Sequence, residues 1–309
     1  MSTPATLSRR QFTARLCGAA AAAACCPAPV KAAAPAEFRL NYILASPMYG
    51  TAPLPEVLGQ VKKIGAACID LWPRPHANHR EQLEELGRAR FGQLLKEHGV
   101  QLGVLTRYDL GPYQLQDEMR VLKELGGRVI VTGARDAAGK TLRDRVQAFV
   151  ASLRPHVAVA AQLGLAVGIE NHSRSLIHSP DSIRYFAEFA RGMPLGIALA
   201  PYHLPQEEDV IARVIADLGP ALVLFQAWQH GRGCMEKLPK DQELLQMPGR
   251  GSLDFVPLLL ALKQIGYRGF TEIFMHPVPR GIPILETTDA VTEEINRARR
   301  FLDQCLTRV

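Results

Sequence analysis

Two glutamates stand where an ionised carboxylate is costly. Glu170 ends the apolar run Ala166-Val167-Gly168-Ile169-Glu170, and Glu272 lies inside Gly269-Phe270-Thr271-Glu272-Ile273-Phe274. A charge in an apolar strand needs a cation, a metal or a proton beside it. A buried ion pair with Arg or Lys is one solution. The other is chemical: the two carboxylates share a metal, or act as base and acid on adjacent carbons of a sugar. The histidines support a polar pocket. All nine lie beyond residue 36, and His76, His79, His172, His203, His230 and His276 each follow closely on an apolar run, whereas His98, His156 and His178 do not. Any one of the six is explained as a hydrogen-bonded loop histidine, but the set is better explained by a pocket. Trp72, followed by Pro73 and Pro75, and Trp228 could each stack on a sugar ring or pack a lid. Arg280, in His276-Pro277-Val278-Pro279-Arg280-Gly281, could contact an anionic group or be a solvated loop residue.

The elements that must position these groups follow from the hydrophobic pattern. Eight short apolar runs are spaced along the chain: 40–44, 67–71, 101–105, 128–132, 165–170, 195–199, 221–225 and 269–274. Near-continuous rather than alternating hydrophobicity predicts parallel strands buried on both faces. Amphipathic stretches lie between them, at 57–64, 83–95, 146–163, 183–190, 210–218, 258–265 and 291–306. Gly65, Gly99, Gly126, Gly164 and Gly266 each fall just before a strand, where a helix ends. Eight βα units with short connections predict the α/β class and a single (β/α)8 barrel, with the site at the C-terminal ends of the strands. An open doubly wound sheet is disfavoured, because no glycine-rich phosphate fingerprint follows the first strand. The irregular stretch 227–252 is a candidate lid or substrate-binding segment.

From Gly168-Ile169-Glu170-Asn171-His172 onward the sequence resembles the xylose isomerase-like TIM barrels, the sugar phosphate isomerase/epimerase superfamily that includes the endonuclease IV fold. Pro201-Tyr202-His203, Pro248-Gly249-Arg250-Gly251-Ser252-Leu253-Asp254 and Gly269-Phe270-Thr271-Glu272 continue the likeness, which covers Arg39 to the C-terminus. The resemblance implies a divalent metal held by Glu, Asp, His and Glu on strands five to eight, with the two glutamates moving the proton. Those glutamates map to Glu170 and Glu272. The Asp and His positions are occupied by Ala200 and Gln226, so two customary ligands are missing. A re-sited metal (Zn, Mn or Fe) would use Glu170, His203, His230 and Glu272. Trp72, His172, Gln226, Trp228, His276 and Arg280 are then the candidate substrate contacts. The implied activity is isomerisation or epimerisation of a keto-sugar through an enediolate. A metal-free acid/base site, a lyase acting on an oxidised sugar and a non-catalytic carbohydrate-binding barrel are the alternatives.

The first 36 residues read as a signal peptide, leaving residues 37–309 as the barrel domain. Ser8-Arg9-Arg10-Gln11-Phe12 looks like a twin-arginine signal, an alanine-rich run follows, and Ala34-Pro35-Ala36 offers a cleavage site. The expected partner at that stage is the Tat translocase and the expected location is the periplasm, with lipid attachment at Cys25 as a lesser alternative. This segment holds four of the 36 basic residues and none of the 30 acidic ones, so the remainder carries 32 against 30. Near-neutrality removes the compositional case for nucleic-acid binding. The expected partner is a small carbohydrate, and the sequence leaves a homo-oligomer open.

Overall fold

The computed structural model describes residues 37–230 and 238–309. The leader read at residues 1–36, Cys25 and part of the long segment after the seventh strand lie outside the described residues. Eight parallel strands close into a barrel in chain order: β1 (Asn41–Ala45), β2 (Cys68–Leu71), β3 (Gln101–Thr106), β4 (Val129–Gly133), β5 (Ala166–Glu170), β6 (Leu195–Leu199), β7 (Leu222–Ala227) and β8 (Phe270–Ile273). This is the predicted (β/α)8 architecture, and the strands fall within a residue or two of the apolar runs. Closure is made by β1, where Ile43 is in register with Cys68 of β2 on one side and Glu272 of β8 on the other. Every residue of β2 and β6 is buried, as two-sided burial requires.

The outer ring comprises α1 (Leu54–Leu58), α2 (His79–Leu86), α3 (Arg88–His98), α4 (Gln116–Glu124), α5 (Leu142–Leu163), α6 (Pro180–Phe189), α7 (Glu208–Leu218), α8 (Lys240–Glu243), α9 (Val256–Gln264) and α10 (Thr288–Leu306). The sequence pattern merged α2 with α3. Gly87, at φ 78° and ψ 148°, breaks them into two helices. The first predicted helix is likewise cut short, into α1 and a 3-10 turn at Lys62–Ile64 that ends on left-handed Gly65. The longest helix, α5, starts with a capping box in which Thr141 and Asp144 satisfy each other's backbone amides, and it ends on left-handed Gly164. None of the described helices is long and apolar enough to cross a membrane.

Inside the barrel, strand alternation builds layers. On β2, β3, β7 and β8 the inward positions Cys68, Val104, Leu224 and Phe270 belong to an apolar plug. Two residues further along each strand stand Asp70, Thr106, Gln226 and Glu272, a fully buried polar layer. Two residues further again stand Trp72, Tyr108, Trp228 and Phe274, an aromatic layer. Its rings touch in sequence: Tyr108 to Trp72 at 5.2 Å, Trp72 to Phe274 at 5.0 Å, and Phe274 to Trp228 at 4.9 Å between centroids.

Candidate active site

Above β4, β5 and β6 the inward positions are Gly133, Glu170 and Ala200 rather than aromatics, and there the barrel mouth opens into a cavity of about 240 Å³. Its lining includes Glu170, His172 and Ser175 after β5, His203 after β6, and His276 and Arg280 after β8. His76, Tyr108 and Arg135 join them from the loops after β2, β3 and β4. The position of Glu170 is fixed by its neighbour. Asn171 accepts from the Ala200 backbone amide at 2.7 Å and donates to the Ala200 carbonyl at 3.0 Å, tying the ends of β5 and β6 together.

The Glu170 carboxyl is buried, with only its edge reaching the cavity. Desolvation raises its pKa above the usual carboxylate range, against the opposing pull of His172, the Tyr108 hydroxyl and Arg280. A raised carboxyl at a cavity wall is suited to giving and taking a proton. The Tyr108 hydroxyl is buried beside it without a well-aligned hydrogen bond, and burial followed by the Glu170 charge keeps the phenol protonated. His203 Nε2 stands 3.9 Å from Glu170 Oε1 and has no hydrogen-bond partner. Its Nδ1 lies 3.3 Å from the Ser173 hydroxyl. With that hydroxyl donating, the proton of His203 sits on Nε2 and faces Glu170.

The other rings pack in pairs, one stacked and one tilted. His76 stacks on His276 with centroids 4.5 Å apart, and His172 lies 4.0 Å from His203. Burial holds these imidazoles neutral: His76 is lowered to about 3, His203 to about 2, and His276 well below the ordinary value. Neutral imidazoles donate hydrogen bonds without bringing charge, which suits them to an oxygen on which charge develops.

The other predicted residues are placed elsewhere. Glu272, read with Glu170 as a proton-moving pair, is fully buried in the polar layer and does not line the cavity. Gln226 donates to its Oε2 at 3.1 Å, and Asp70 lies beside it. Burial, then the Asp70 charge, pushes the Glu272 carboxyl far up, so the two acids retain a proton between them. Asp70 accepts from Trp72 Nε1 and from the Thr106 hydroxyl, each at 2.7 Å. Trp72 and Trp228 are buried in the aromatic layer above this pair and not in the cavity wall. Trp228 stacks on Tyr202 at 4.0 Å and donates to Gln246. His230 is exposed, with its ring 4.9 Å from Tyr202.

The residues predicted to hold a metal do not fit one. Glu170 and His203 stand together at the cavity, Glu272 is engaged below by Gln226 and Asp70, and His230 is exposed beside Tyr202, outside the cavity lining. Ala200 offers no donor. Among the described residues no group of three or more His, Cys, Asp or Glu side chains could hold a metal ion.

The fold agrees with what the chain is similar to. The family model for the xylose isomerase-like TIM barrel matches residues 58–304, and the chain belongs to that family. Among solved structures, an apo 3-keto-D-glucoside 4-epimerase, YcjR, from E. coli is 19% identical with a TM-score of 0.63, covering 85% of this chain and 100% of that one. D-psicose 3-epimerase with D-tagatose from Clostridium cellulolyticum H10 is 16% identical with a TM-score of 0.66, covering 86% and 99%. An IOLI protein with a bound zinc atom is 15% identical with a TM-score of 0.64, covering 87% and 99%. At these identities the likeness shows the shared barrel. No curated protein sequence matches the chain.

Proposed function

We propose that this chain is a sugar isomerase or epimerase that removes a proton from the carbon next to a carbonyl, with Glu170 as the base. The observation that carries the reading is the raised, cavity-edge carboxyl of Glu170, with the His203 imidazole and the Tyr108 phenol beside it. Glu170 takes the C–H proton. The bonding pair forms a carbon–carbon double bond, and the carbonyl π pair moves onto oxygen. That oxygen is stabilised by N–H or O–H donors drawn from His203, His276, His76 and Tyr108. Return of the proton to the former carbonyl carbon completes an isomerisation when the first carbon bears a hydroxyl: that hydroxyl gives up its proton as the new carbonyl forms there, and the enolate oxygen takes one up to become a hydroxyl. Delivery of a proton to the opposite face of the original carbon, from water or an O–H or N–H donor on the far wall, with Glu170 releasing the abstracted proton to solvent, is an epimerisation. No step is routed through a metal, since the donor set does not fit one.

The reading is tested by incubating the protein with a panel of ketoses in heavy water and following deuterium by NMR at the carbons flanking the carbonyl. Exchange that depends on Glu170 is expected. Saturable binding of a ketose with no exchange in any of them would instead identify a carbohydrate-binding barrel, the reading that the donor-less Ala200 favours.

We also propose that the folded chain is exported by the twin-arginine route, on the strength of Ser8-Arg9-Arg10-Gln11-Phe12 and the small-residue site before Glu37. Retention in the cytoplasm regardless of an Arg9→Lys/Arg10→Lys change would refute it.

A further inference from the structure

The cavity carries charges that the proton chemistry leaves unused. Arg135 and Arg280 both line it. One follows β4 and the other follows β8, and these strands stand on opposite sides of the closed ring. The two guanidinium groups therefore reach one cavity from opposite rims. Neither forms an ion pair with a carboxylate among the described residues. Arg80, Arg107, Arg143, Arg184 and Arg250, by contrast, are all paired. Arg135 has a prepared place: Gly111, at φ 63°, leaves room where a Cβ would stand 3.0 Å from Nη2 and 3.1 Å from Nε.

Around these cations His76, His203 and His276 are held neutral, and Glu170 is the acid among the described lining residues. Two cations facing one carboxyl, neither engaged in an ion pair among the described residues, at the rim of a partly enclosed polar cavity favour an anionic ligand. A guanidinium matches a planar oxyanion with two parallel hydrogen bonds. The space is small, about 240 Å³, against roughly 300–1,000 Å³ for common ligand sites. That limit favours a carboxylate, which replaces a hydroxymethyl group at little cost in volume, over a bulkier phosphate ester.

We propose that the substrate is a keto-sugar acid whose terminal carboxylate is held at the mouth by Arg135 and Arg280, leaving the carbon beside the carbonyl to Glu170. This rests on the isomerase or epimerase reading above and names the substrate class of the same site. The experiment compares D-fructuronate, D-fructose and D-fructose 6-phosphate by calorimetric titration at low and high salt. The protein used is the mature chain, alongside its Arg135→Gln and Arg280→Gln variants, with circular dichroism to confirm folding. D-fructuronate should bind roughly tenfold or more tighter than D-fructose, as one charge-assisted pair provides. The preference should shrink with salt and be lost in the variants. Equal binding of the two sugars, a preference unchanged in folded variants, or a preference for the phosphate would each overturn the proposal. Deuterium exchange is read in the same samples. Glu170-dependent exchange into D-fructose without carboxylate preference would leave the isomerase reading standing and the clamp refuted. Arginine-dependent binding of D-fructuronate without exchange would do the reverse.

Discussion

Gln226 donates its side-chain amide to Glu272 Oε2 at 3.1 Å, at the position where the family pattern carries a metal-binding histidine. The amide takes up the carboxyl that a metal would need, and Ala200 leaves the neighbouring position empty of donors. Treatment with a strong chelator should therefore leave thermal stability and any deuterium-exchange activity unchanged. Elemental analysis should find less than stoichiometric metal in the wild type. An Ala200→Asp/Gln226→His double variant should gain metal. Activity lost on chelation and restored by Zn, Mn or Fe would show that the residues rearrange around an ion.

Glu170→Gln should keep the cavity's shape and remove its base. Deuterium exchange should fall by about 10²–10⁴-fold, the usual worth of a positioned general base, while ketose binding by calorimetry is retained. The wild-type rate should rise with pH through the raised pKa of Glu170, above the ordinary carboxylate range. A rate flat across that range would assign the proton to another group.

Asp70 makes the polar layer sensitive to pH in a defined direction. Burial raises its pKa from 3.8 to about 7. Between those values the folded chain holds a proton that the unfolded chain has released, so stability falls as pH rises through this window. Asp70→Asn should reduce that slope in chemical denaturation curves taken between pH 4 and 7, leaving the part that buried Glu272 contributes. An unchanged slope would mean that the acid pair does not share a proton.

The histidines act in the opposite sense. His76 and His203 are lowered from 6.5 to about 3 and about 2. Below pH 6.5 the unfolded chain binds protons that the folded chain refuses, so their contribution is present above 6.5 and lost as pH falls towards 3. His203→Asn should reduce the acid-side loss of stability and leave the Asp70 window in place. Melting temperatures of the two variants across pH 4–8 separate the effects.

The strands were legible because two-sided burial writes them as continuous apolar runs. Helix α4 was not among the helices read from the pattern, since Gln116–Glu124 is mostly charged and polar and buries little more than Met119, Val121 and Leu122. Asp70 was concealed for the converse reason, as one acid inside Cys68-Ile69-Asp70-Leu71. The sequence identified both glutamates but not their depths. Glu170 is the last residue of β5, and Glu272 is followed by Ile273 within β8 and then by Phe274. Which strand position falls at the mouth depends on barrel stagger, a property of all eight strands together. The same stagger buries Trp72 and Trp228 and gives Tyr108 a place in the wall. Arg280 and the histidines after β5, β6 and β8 were found because loop residues at strand ends need no knowledge of depth.

The stack of His76 on His276 joins the loops after β2 and β8, the two strands that flank β1. Its members are 200 residues apart in sequence, as the register of Ile43 with Glu272 is more than 200. Bringing together contacts so distant along the chain carries a large loop-closure entropy. A chain still lacking its last strand during synthesis thus has neither a closed ring nor this wall of the cavity, and the site is complete only once β8 and the loop after it have emerged and docked.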